Sequence, residues 1–183
     1  MNKRFGFTLM ETVIVLGLIS LILPIIFAIV FSITRQQAKV YVLSTIKREG
    51  DNALSIMENT IRNKAIAIYT NEDLSTPVCT SKDNNHESSD GTDFYLSDNS
   101  GEWFKFSQSS NQIASSSSIV NAEVDLTSSS NTRITSFNIN CQYISDFSKP
   151  VVGISFTIEQ KQTQYLKREE IASLNYSTKI KLR

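Results

Sequence analysis

The chain has 183 residues, with 18 Lys+Arg balanced by 18 Asp+Glu and a formal net charge of +0. That balance gives no electrostatic case for nucleic-acid binding over the whole domain, and the length allows one soluble domain beyond any membrane segment. One histidine and two cysteines, with no Ser-His-Asp arrangement, phosphate-binding glycine loop or metal-spaced cluster, give no sign of an enzyme, a metal centre or a cofactor.

The chain opens on a short basic leader, Met1-Asn2-Lys3-Arg4-Phe5-Gly6, followed by an apolar run to Ile33. No charged side chain occurs from Thr12 through Thr34. Those ~23 residues rise about 34 Å as a helix, enough to cross a hydrocarbon core of about 30 Å. A secretory signal has a shorter apolar region and small residues at a cleavage site. Here the run is longer and no A-x-A follows it. Lys3 and Arg4 favour a cytoplasmic N-terminus, a bias that Arg35 and Lys39 weaken without reversing. On hydropathy alone this is a signal-anchor helix with Glu11 at headgroup level.

The residues themselves are more specific. Lys3-Arg4-Phe5-Gly6 followed by Phe7-Thr8-Leu9-Met10-Glu11 resembles the class III signal of type IV pilins and type II secretion pseudopilins. The resemblance covers the leader and the apolar run and is vague beyond them. It implies cleavage by a prepilin peptidase between Gly6 and Phe7, N-methylation of Phe7, and retention of the apolar helix. It further implies that Glu11 meets an N-terminal amine, that of a neighbouring subunit or its own Phe7. A carboxylate at the bilayer edge is costly unless paired, and cleavage would create such an amine one turn away. Loss of Lys3 and Arg4 would leave a formal charge of about −2, from 16 basic and 18 acidic residues. The partners implied are other pilin or pseudopilin subunits, the peptidase, an inner-membrane assembly platform and the lipid bilayer; no cofactor is implied.

Pro24 interrupts the apolar run and predicts a helix kink between Ser20 and Pro24. From Arg35 to about Tyr69 an amphipathic helix is expected. Leu43, Ile46, Leu54, Met57, Ile61, Ala65 and Ile68 form one stripe at steps of three and four, with Gly50 filling the gap. No Pro or Gly pair separates the two halves, so they are read as one rod.

Asn71 to Thr92 reads as a polar loop carrying Cys79. Its acids Asp83, Glu87, Asp90 and Asp93 do not have the spacing of an EF-hand, so a solvated loop is the expectation, and His86 is read as an exposed loop residue. Period-two patterning follows. Phe94 and Leu96, then Phe104 and Phe106, flank the hairpin turn Asp98-Asn99-Ser100-Gly101, with Trp103 on the opposite face from Phe104. Ser115–Ser118 reads as loop and Ile119–Leu126 alternates weakly. Ser128–Asn131 reads as a turn. Thr135, Phe137, Ile139 and Cys141 alternate, as do Val152, Ile154, Phe156 and Ile158, and then Leu174, Tyr176, Thr178, Ile180 and Leu182. Five or six strands with one buried face are expected, covered by the amphipathic helix. A disulfide between Cys79 and Cys141 is permitted outside the cytoplasm; two separately buried thiols are the alternative.

The predicted class is therefore α+β, a pilin-like lollipop. Residues 1–6 are the leader, 7–34 the transmembrane helix, 35–70 its amphipathic continuation and 71–183 a β-rich head. The function implied by the resemblance is a structural subunit, in a minor role, of a pilus-like or type II secretion filament. A major pilin, or a solitary membrane-anchored binding module outside the cytoplasm, is the alternative reading.

Overall fold

The computed structural model describes residues 8–87, 94–120, 122–128, 130, 132–161 and 172–183. It divides into two compact units, Met1–Tyr41 and Val42–Arg183. A single helix, α1 (Leu9–Lys64), spans the boundary, so the two predicted halves are one element.

Within the second unit, α1 buries Ile46, Gly50, Ala53, Met57 and Ile61, at steps of four, three, four and four. Leu43 and Leu54 pack against the same core. The sequence predicts helix to about Tyr69, but α1 stops at Lys64 and β1 (Ala67–Tyr69) follows. Ala65 and Ile68 are three apart, which continues a helical stripe. The five residues Ala65 to Tyr69 are apolar throughout, which a strand accommodates equally, and the main chain takes the extended option when the Ile66 amide bonds the Ser97 carbonyl at 2.9 Å.

Among the described residues nine more strands follow: β2 (Pro77–Val78), β3 (His86–Glu87), β4 (Tyr95–Ser97), β5 (Trp103–Ser109), β6 (Gln112–Ser117), β7 (Val124–Asp125), β8 (Thr132–Gln142), β9 (Val151–Gln160) and β10 (Ser173–Lys181). One sheet was expected; there are two antiparallel ones. The first has order β2-β1-β4-β5-β6-β7 and the second β10-β9-β8-β3. They meet where the Ile134 amide bonds the Asn111 carbonyl at 2.7 Å and Gln108 Nε2 bonds the Ile134 carbonyl at 3.0 Å.

The β4–β5 hairpin forms as predicted, pairing Leu96 with Phe104 and Ser97 with Trp103. Asp98 Oδ1 fixes its turn by accepting from the amides of Ser100 (2.8 Å) and Glu102 (3.1 Å). The next hairpin corrects the serine-loop expectation, since Ser115, Ser116 and Ser117 pair in β6 with Phe106, Lys105 and Phe104. Its turn is Ser110-Asn111, both left-handed (φ 50° and 65°), the conformation that matches the twist of a two-residue hairpin.

Among the described residues of Ile119–Leu126 only Val124 and Asp125 pair as a strand, and Ile119 and Val120 are exposed. In β8 the expected alternation breaks at a register shift between Ile134 and Ser136. Ile134 and Phe137 are both buried, and Thr135, expected on the apolar face, is exposed. One extra residue at a bulge moves the chain to the opposite phase. β9 buries Val152, Ile154, Phe156 and Ile158 as predicted.

The predicted Asn71–Thr92 loop contains the short strands β2 and β3. His86 lies in β3, exposed, with its ring edge-on to Phe94 at 5.6 Å. Asp90, Gly91 and Asp93 lie outside the described residues; among the described residues no group of three potential ligands gathers.

Candidate assembly segment

Gly6 and Phe7, the predicted cleavage and methylation positions, lie outside the described residues, as do Lys3 and Arg4. The description begins at Thr8, which caps α1. The Glu11 amide bonds both the Thr8 carbonyl (3.1 Å) and Thr8 Oγ1 (3.3 Å), and the Thr12 amide bonds the Thr8 carbonyl at 3.2 Å. Thr8-Leu9-Met10-Glu11 thus has the T-x-x-E spacing of a capping box, with an acid in the first turn where the helix dipole favours it. The signal was visible in the sequence, and the pilin-like reading of the same letters hid it. Glu11 itself is exposed.

From Thr8 to Val40 every residue is exposed. Leu9, Leu16, Leu21, Ile25, Phe27 and Phe31 all present apolar surface on a helix long and apolar enough to cross a membrane. Three of its hydroxyls turn back onto the helix. Thr12 donates to the Leu9 carbonyl (2.8 Å), Ser20 to that of Gly17 (2.7 Å) and Thr34 to that of Val30 (2.8 Å). Such back-bonding satisfies donors that hydrocarbon cannot. Helix continues on both sides of Pro24, which supplies no amide to Ser20. Gly17 has open space around its Cα, so no close contact within the chain requires it. At the end of the run the Arg35 guanidinium lies over the Phe31 ring at 4.5 Å, a cation–π contact at a helix position where long basic side chains reach for headgroups.

In the second unit polar contacts at Lys47, Glu49 and Glu58 fasten α1 to the sheets. Tyr176 of β10 lies directly over Gly50, where a Cβ would come within 2.3 Å of its ring. The ring stacks on Phe156 (4.9 Å between centroids, 12° between planes), and its hydroxyl donates to the Lys47 carbonyl at 3.0 Å. Burial, followed by the negative charge of nearby Asp51, pushes the Tyr176 hydroxyl up to about 12. Glu49 accepts from Thr132 Oγ1 (2.6 Å) and the Ser128 amide (3.3 Å), holding the turn before β8 against the helix. Glu58 accepts from the Thr178 hydroxyl. The gap in the apolar stripe at Gly50 was legible; that an aromatic ring fills it was not.

Cys79 and Cys141 are bridged, 62 residues apart with Cα atoms 6.1 Å from one another. Both are buried. The bond ties the residue after β2, in the first sheet, to β8 in the second. Cys79 sits at φ 58°, and its amide bonds the Asn84 carbonyl at 2.9 Å.

No protein-family model, no curated protein and no solved structure matches this chain.

Proposed function

We propose that the protein is a structural subunit, in a minor role, of a type IV pilus-like or type II secretion filament. The observation that carries this reading is the Gly6-Phe7-Thr8-Leu9-Met10-Glu11 start directly ahead of an uninterrupted apolar helix. Prepilin peptidase removes Met1 to Gly6 on the cytoplasmic side, Phe7 is N-methylated, and α1 holds the subunit in the bilayer before assembly. The head then lies outside the cytoplasm, where a disulfide persists. Support comes from the exposed apolar face of α1 and from a second half that carries an antiparallel β head. In this reading Glu11 pairs with an amine created at Phe7, on its own chain or on a neighbour. The strand-rich head favours a minor subunit, and copy number in sheared filaments tests that point.

Two measurements test the proposal. The intact mass of the native protein is expected to match a chain starting at methylated Phe7; one starting at Met1 would refute it. Glu11→Gln is expected to insert and be cleaved normally but to be recovered poorly in filaments at equal membrane level. Gln serves a capping box as Glu does, so the start of α1 is preserved and only the charge is lost. Incorporation equal to the parent would return Glu11 to a headgroup-level residue of a solitary anchor.

A further inference from the structure

Where α1 ends, an open cleft of about 460 Å³ is lined by three cations, Lys64, Lys149 and Arg183. They come from three separate places: the last residue of α1, the connection between β8 and β9, and the chain after β10. Asn63, Asn99 and Ser100 add neutral donors, and Ile66 an apolar wall. The single lining carboxylate, Asp98, uses Oδ1 to hold its own turn through the amides of Ser100 and Glu102.

The ordinary role for cations here is to cap the last helical carbonyls, and part of their capacity goes to that. Arg183 Nη1 reaches the Asn63 carbonyl at 3.4 Å, and Lys149 Nζ donates to the Arg183 main-chain oxygen at 2.6 Å. Those bonds use one of five guanidinium donors and one of three ammonium donors. Among the described residues, no carboxylate side chain pairs with any of the three. In a chain with equal numbers of acids and bases, three cations facing one lining carboxylate, Asp98, are a local excess of positive charge.

We infer that this cleft binds a phosphate-bearing ligand. A dianionic phosphate needs more than one cation and several donors at once, whereas a single carboxylate is satisfied by one fork. Arg183 supplies the planar fork and the two lysines supply point charges. The volume is in the range of small-molecule sites and exceeds what a bare phosphate fills. Ile66 faces the group to which the phosphate is esterified. A soluble phosphate monoester and the headgroup of phosphatidic acid, itself a monoester, share this chemistry.

The full chain in phosphatidylcholine nanodiscs, titrated with glycerol phosphate at fixed ionic strength and followed by calorimetry, tests the inference. Saturable one-to-one binding is expected. Lys64→Gln should weaken it at least fivefold, and Lys64→Gln with Arg183→Gln should abolish it. Arg183→Lys should keep most of it, and Lys179→Gln, on β10 away from the cleft, should leave it unchanged. Among the described residues the exposed Lys64 side chain makes no hydrogen bond or ion pair, so its variant remains readable if Arg183→Gln unfolds. Repeating the titration in nanodiscs that also contain phosphatidic acid separates the two sources. An unchanged constant assigns a soluble monoester, and loss by competition assigns a headgroup. Heat that does not saturate, binding equal in Lys64→Gln and the parent, or equal binding of citrate would overturn the assignment.

Discussion

Gly50→Ala tests how α1 is held against the sheets. On an exposed helix this change would stabilise by about 0.8–1.0 kcal/mol, because alanine is the better helix former. At Gly50 the added methyl would sit 2.3 Å from Tyr176 Cε2, 2.4 Å from Cζ and 2.6 Å from the hydroxyl oxygen. The ring cannot rotate away cheaply, since it is stacked on Phe156 and bonded through its hydroxyl to Lys47. Overpacking of this kind costs about 1–3 kcal/mol. Losing the hydroxyl bond adds about 0.5–1.5 kcal/mol. After subtracting the propensity gain, a net destabilisation of about 0.5–3.7 kcal/mol is expected. Urea unfolding of the detergent-solubilised chain, followed by the fluorescence of its single tryptophan, Trp103, reads the head directly. A second arm isolates the cause. In a Tyr176→Leu background the smaller side chain leaves room, so Gly50→Ala should become neutral or stabilising. A coupling free energy above about 1 kcal/mol between the two positions is the expected signature. If Gly50→Ala is as stable as the parent with Tyr176 in place, the close approach of β10 to the helix is wrong.

Thiol labelling of denatured, non-reduced protein should find neither Cys79 nor Cys141 free, and reduction should destabilise the head by about 4 kcal/mol on the chain-entropy model for a loop of this size. Two labelled thiols in exported protein would exclude the bridge. Tyr176 should give a step above the ordinary 10.0 in a spectrophotometric titration, and Tyr176→Phe should remove that step. Because its folded value, about 12, is raised above the ordinary 10.0, its contribution is complete below pH 10 and is lost as pH rises toward 12. Alkaline unfolding that begins in that window in the parent, but not in Tyr176→Phe, is the expected contrast. Thr8→Ala should weaken the start of α1 by about 1 kcal/mol, read as loss of amide protection at Glu11 and Thr12 by hydrogen exchange.

The sequence-based expectations held where burial and backbone periodicity agreed. The strand from Val152 to Ile158 places four apolar residues on one face, and the structure buries all four. Of the helical stripe, Ile46, Gly50, Met57 and Ile61 are buried as expected, while Ala53 takes the fully buried place expected of Leu54, which is half-buried. Expectation failed where the partner, not the strand itself, carries the apolar load. Gln112–Ser117 is mostly small and polar, and it is a strand because its register sets serines opposite Phe104 and Phe106. The turn before it lacks the Asn-Gly signature, although Ser110-Asn111 adopts the same left-handed geometry. The division into two sheets was also hidden, because it depends on non-local bonds from Ile134 to Asn111 and Gln108. In the candidate segment the apolar helix was plain from composition. The cap at Thr8 was legible in T-x-x-E spacing, while the seat for Tyr176 at Gly50 required a residue more than a hundred positions away.

The hydroxyls of Thr12, Ser20 and Thr34 each find their acceptor within their own helix. They make no claim on whatever surrounds the segment. A helix whose hydroxyls are satisfied this way can exchange lipid neighbours for protein neighbours without breaking one of these bonds. The difference between the two surroundings then falls to packing and to the few charged groups at the ends, chiefly Glu11 and Arg35. A barrier to moving the segment between environments would arise from those ends rather than from its length. Substituting an asparagine for Ser20 would undo this, because its longer amide reaches past the helix and demands a partner from outside.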